Sequence, residues 1–149
     1  MSMSKAETVP FQTTLMVRDT CLCLHVQRAA RALARQFDEM LRPVGLTNGQ
    51  FSLMMSLNRP EPAKMGQLST LLAMDRTTLT ANLKPLERRG LVQILVDPAD
   101  KRSRRLLLTP EGQALLAAAV PIWKEGHRMI EQRLTGDADR LRADLIALS

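Results

Sequence analysis

The sequence predicts a mainly α-helical chain that carries one small β-hairpin. Three observations lead there. Apolar residues recur at helical spacing along most of the 149 residues. Capping residues and helix breakers punctuate those stretches. Only one pair of short β-prone runs stands between them, Leu91 to Val96 and Arg105 to Thr109, joined by a basic loop.

Taken in order, residues 1–14 are polar and unpatterned and are read as a mobile tail ahead of a single domain over 15–149. A long helix is expected over 18–42. Leu22, Val26, Ala29, Leu33, Phe37, Met40 and Leu41 form its apolar stripe, and Pro43 with Gly45 ends it. Thr47-Asn-Gly-Gln50 is a capping box that opens a helix through Phe51, Leu53, Met54 and Leu57. The Arg-Pro-Glu-Pro run ending at Pro62 closes it. Residues 65–89 read as two short helices joined by a tight turn, with Asp75 as the N-cap of the second. The hairpin follows over 91–109. Thr109 caps and Pro110 opens a helix to about Leu134, bent at Pro121 and Gly126. Gly136 breaks it, Asp137 caps again, and Leu141, Leu145 and Leu148 stripe a last helix, so that 110–148 is helical almost throughout.

Charge singles out the middle. Between Arg76 and Arg105 stand eight Lys/Arg and three Asp/Glu, so 30 residues carry +5 of the net +6. Such concentration is an electrostatic footprint for nucleic acid. The helix after Asp75 adds geometry. At about 100° per residue, Leu79, Leu83 and Leu86 share one side. Thr77, Thr80, Ala81, Lys84 and Arg88 fall opposite, with Arg76 at the start and Thr78 on the flank. Small residues let a helix settle into a major groove, hydroxyls reach base edges or phosphates, and cations neutralise phosphate. Pro85 costs roughly 3 kcal/mol in a helix interior and predicts a bend or an early end there. At the hairpin, Lys101, Arg102, Arg104 and Arg105 suit a minor groove, whose negative potential favours Arg. Asp100, two residues before Arg102, is expected to brace it.

The ordered set resembles the winged helix-turn-helix of the MarR family of bacterial transcription regulators. Asp100, Arg102, Thr109 and Gly112 match its wing signature, and Leu86, Glu87, Gly90 and Leu91 match the end of its recognition helix. The resemblance runs from about residue 20 to the end. It implies a cytoplasmic DNA-binding repressor whose terminal helices build a homodimer. Two recognition helices on a two-fold axis would read a palindromic operator in double-stranded DNA. The apolar stripes at both ends agree, because a small winged domain does not need them to cover its core.

Other chemistry sits near the N-terminus. Cys21, Cys23 and His25 look like a metal cluster, but on one continuous helix Cys23 points about 200° away from Cys21. The three then do not converge on one ion, the cysteines do not readily bridge, and no metal or cofactor is expected. Cys23 stands 27 residues before Gln50, a spacing similar to the organic-hydroperoxide-sensing branch of the family. That similarity implies a reactive thiol, although the branch's tyrosines are absent here; a small buried hydrophobe is the plain alternative. The family also implies a pocket for a small aromatic carboxylate. His25, Arg28 and Arg31 are the candidates to meet the carboxylate, and Phe51, Met54 and Trp123 to line a wall.

Composition narrows the classes further. No apolar run reaches about 18 residues, so no membrane span is expected. Two cysteines make no disulfide framework, which fits a reducing cytoplasm. A thiol enzyme or redox protein built on Cys21 and Cys23 would be the rival class. The chain lacks a Cys-x-x-Cys pair, a Gly-rich phosphate loop and a Ser/His/Asp set, and an enzyme has no use for four cations at one hairpin. A winged domain used only for protein contacts is the third reading, which salt-sensitive DNA binding would exclude.

Overall fold

A computed structural model describes residues 7–149. In chain order the elements are α1 (Phe11–Thr20), α2 (Leu22–Leu41), a 3-10 turn (Arg42–Val44), α3 (Asn48–Leu57), β1 (Ala63–Lys64), α4 (Met65–Leu71), α5 (Arg76–Arg88), β2 (Val92–Val96), β3 (Arg104–Leu108), α6 (Pro110–Glu131) and α7 (Ala138–Ala147). The backbone forms two compact units, one ending at Arg35 and the other spanning Gln36–Ser149.

The first unit corrects two expectations. Residues 11–14, read as tail, open α1; residues 1–6 lie outside the described residues. Pro10 flanks α1 with φ −61° and ψ 144°, an extended N-cap geometry that its ring favours. The helix expected to run unbroken from residue 18 is instead two, parted at Cys21, where ψ of 111° leaves the helical region. No Gly or Pro marks the break. Thr20 Oγ1 donates to the Met16 carbonyl at 2.7 Å, a side-chain bond of the kind that competes with the helical ladder. Because Cys21 stands at this joint, the angle between Cys21 and Cys23 drawn from one continuous helix does not apply.

The second unit holds an aliphatic core. Leu41, Met54, Leu68, Leu79, Leu83, Leu86 and Leu106 are its largest fully buried side chains. The capping box of α3 forms as expected. The Gln50 amide donates to Thr47 Oγ1 at 3.2 Å, and the Thr47 amide donates to Gln50 Oε1 at 3.0 Å. The sheet has three strands in the order β1-β3-β2, not two, all antiparallel. The missed strand, β1, pairs Ala63 with Leu106 and Lys64 with Arg105. Two residues after a proline-rich run offer no alternation to read.

α6 ends at Glu131, three residues short of the expected limit, and Asp137 caps α7 by accepting the Asp139 amide at 2.9 Å. Gly126 lies inside α6 at a close approach to a neighbouring side chain. A Cβ there would stand 2.1 Å from Met40 Sδ.

The start of α6 is fastened to the end of α5. Gly90 takes φ of +72°, open to glycine at little cost. Thr109 Oγ1 donates to the Gly90 carbonyl at 2.6 Å and accepts the Gly112 amide at 3.0 Å. The Thr109 amide donates to the Leu91 carbonyl at 3.1 Å. A Cβ on Gly112 would stand 2.1 Å from that same oxygen.

Candidate nucleic-acid interface

The candidate reading face begins with how α5 is started. Asp75 Oδ1 accepts the Thr78 amide at 2.7 Å, and Thr78 Oγ1 donates to Asp75 Oδ2 at 3.0 Å. These two bonds, the amide first, hold the Asp75 carboxyl below its ordinary range. Leu79, Leu83 and Leu86 are fully buried, which fixes the rotation of the helix. The opposite face is then open. Arg76, Thr77, Thr80, Ala81 and Lys84 are all exposed and line one shallow depression of about 410 Å³, with Arg88 exposed one turn on. Thr80 Oγ1 donates to the Arg76 carbonyl at 2.8 Å, so toward DNA it can only accept. Thr78 is committed to the cap. Among the described residues, the Thr77 hydroxyl has no partner.

Pro85 does not end the helix early, since α5 continues to Arg88. Arg89, just beyond, is occupied elsewhere and donates to the Gly45 carbonyl at 2.9 Å.

The wing sorts its four cations into two kinds. Arg105 Nη2 lies 3.4 Å from Asp97 Oδ1. Arg104 Nη1 folds back onto the Lys101 and Ser103 carbonyls at 3.1 and 3.3 Å. Lys101 and Arg102 are exposed at the tip, and neither side chain has a partner among the described residues. The expected brace takes another form. Asp100 Oδ1 accepts the backbone amide of Arg102 at 3.0 Å and shapes the loop without holding the guanidinium. Sequence reasoning also missed Asp97, whose burial has no signal in a loop rich in charge.

The remaining candidates lie elsewhere. Cys23 is exposed and Cys21 half-buried. His25 Nδ1 donates to the Cys21 carbonyl at 2.7 Å, and Arg28 and Arg31 are exposed on α2. In the second unit Phe51, Met55, Leu71, Trp123 and Lys124 border a largely apolar cleft of about 530 Å³. Met54, expected on its wall, is fully buried in the core instead, because it falls on the inner side of α3. Trp123 stacks between Phe51, with centroids 6.0 Å apart, and His127, 4.6 Å apart. The i, i+4 spacing of Trp123 and His127 was the available signal.

Comparison with known proteins bears on this geometry. Residues 46–103, which contain α3 to the wing tip, match the MarR family model. Transcriptional regulator HosA of Escherichia coli O111:H- is 35% identical over 101 residues, 68% of this chain and 75% of that protein. The organic hydroperoxide resistance transcriptional regulator of Bacillus subtilis is 29% identical over 101 residues, 68% of this chain and 69% of its own length. The structure of the M. tuberculosis transcriptional regulator MosR in complex with DNA aligns with a TM-score of 0.79 at 39% identity, covering 86% of this chain and 92% of that one. These relatives are regulators and not enzymes. A capped helix with an open polar face, a wing with free cations and this degree of likeness lead to one conclusion: the chain belongs to the MarR family of transcriptional regulators.

Proposed function

We propose that the protein is a homodimeric repressor that binds a palindromic operator and leaves it when a small molecule binds. The observation that carries the reading is the outer face of α5, where Arg76, Thr77, Thr80, Ala81 and Lys84 converge on one exposed surface. Thr77, Thr78 and Thr80 face the major groove, and the free cations Lys101 and Arg102 take the flanking minor groove. Arg88 and Arg104 supply phosphate charge, while Asp100 shapes the wing.

The dimer is supported by the stripe on α2. Leu41 at its end is buried, but Leu22, Val26 and Leu33 stand 67%, 39% and 37% exposed, and Leu141 and Leu145 of α7 add 41% and 42%. A single chain leaves this much aliphatic surface in water, and a second copy covers it. For the effector, the cleft beside Trp123 offers an aromatic wall and Lys124 a cation for a carboxylate. Among the described residues no helix is long and apolar enough to cross a membrane. With DNA as partner, the protein acts in the cytoplasm.

Lys84→Ala tests the reader. Each phosphate neutralised contributes about −0.9 to the slope of log K against log salt. The variant should bind all sequences more weakly and lose about one unit of that slope. Unchanged affinity and slope would mean that α5 does not read DNA.

A second reading gives release to Cys23. Its thiol is exposed in the first turn of α2, open to a dissolved oxidant. An organic hydroperoxide would transfer its terminal oxygen to the thiolate, giving a sulfenate and leaving as the alcohol. A stoichiometric dose should then release wild type and Cys21→Ser from DNA, with binding restored by a thiol reductant, while Cys23→Ser holds. Release of Cys23→Ser at the same dose would sink the thiol reading and leave the cleft as the effector site.

A further inference from the structure

Asp97 is the one buried charged side chain among the described residues, 2% exposed, and neither α5 nor the wing tip uses it to touch DNA. It stands directly after β2, opposite the return of the loop. Its Oδ1 accepts the Ala99 amide at 2.9 Å and lies 3.4 Å from Arg105 Nη2 on β3. Its own amide donates to the Ser103 carbonyl at 3.1 Å. One residue therefore grips the outgoing arm, the returning arm and a cation of the wing. Burying a carboxylate is costly unless it is paired and bonded, and the Ala99 amide and Arg105 meet that need, while the bond to Ser103 belongs to the backbone. Between the grips run Pro98 to Arg102, with the two unpartnered cations at the far end.

We propose that Asp97 is the positioning residue of the wing. It pairs with Arg105, holds the turn at Ala99 and thereby sets the pose in which Arg102 meets the minor groove. This rests on the reading that Arg102 contacts DNA.

Charge supplies a test of sign. Asp97 is an anion near a polyanionic ligand, so by Coulomb attraction alone its loss should tighten DNA binding. Positioning requires the reverse. In operator titrations at fixed salt, Arg102→Ala should bind about tenfold more weakly than wild type. Asp97→Ala should bind more weakly by a similar factor. The double variant should be no weaker than either, because a contact already misplaced cannot be lost again. Lys84→Ala should cost the same in the Asp97→Ala background as in wild type, which shows that α5 still reads. Should Asp97→Ala fail to fold, Asp97→Asn, which keeps an acceptor for the Ala99 amide but drops the charge at Arg105, enters the same cycle with the same sign expected. Binding by the Asp97 variant equal to or tighter than wild type overturns the proposal, as do losses that add in the double variant. If Arg102→Ala itself binds like wild type, the wing reading fails and the proposal falls with it.

Discussion

Gly112→Ala should lower the melting temperature by roughly 10 °C. The new methyl would stand 2.1 Å from the Leu91 carbonyl oxygen and 3.0 Å from its carbon, and both are backbone atoms with no rotamer to escape into. That oxygen already accepts the Thr109 amide at 3.1 Å, so moving it breaks a bond at the start of α6. Overpacking of this kind costs about 3 kcal/mol or more, and each kcal/mol moves the midpoint of a domain this size by about 2–4 °C. Gly49→Ala is the control, because nothing lies within 4 Å of its Cβ position on α3. There the gain in helix propensity, up to about 1 kcal/mol, should raise the midpoint. Thermal melts of the two variants should move in opposite directions. Equal midpoints would show that the α5–α6 junction is not close-packed.

Leu145→Glu should separate the dimer and, with it, most of the operator affinity. Leu145 is 42% exposed in the single chain, so the substitution asks little of the subunit's own fold. In a dimer it would bury an unpaired carboxylate against a partner. Light scattering should fall to the chain mass of 16.6 kDa. Two reading heads on one rigid frame bind with an avidity that a single head lacks, by about 10²–10⁴. Operator binding should weaken on that scale. Val26→Glu, on the α2 stripe, should behave alike. A wild-type mass of 16.6 kDa at micromolar concentration would remove the dimer from the account.

The outer face of α5 was legible in the sequence for physical reasons. Asp75 announces a helix start, and Leu79, Leu83 and Leu86 fix which side faces inward, so the outer residues follow by subtraction. The wing was half legible. Two β-prone runs around a charged loop give a hairpin, but which of Arg102, Arg104 and Arg105 stays free depends on guanidinium placement, which spacing does not encode. Asp100 shows the same limit, being near enough to brace Arg102 and choosing its amide. The break at Cys21 was hidden because no Gly or Pro marks it. β1 was hidden because a strand of two residues has no period.

The junction at Gly112 also offers a route by which motion could travel. Thr109 joins the first turn of α6 to the Gly90–Leu91 corner by two hydrogen bonds, and Gly112 adds a close steric contact with the Leu91 carbonyl. Under the proposed release by a ligand, α6 would be the shaft that carries the motion, with Pro121 in its interior. Trp123, at the cleft, stands about 20 Å along the same shaft at 1.5 Å per residue. A molecule lodged beside Trp123 does not have to reach the DNA-reading head to turn it. It has only to prefer one angle of the shaft over another, and the torque available is that difference in affinity and nothing more.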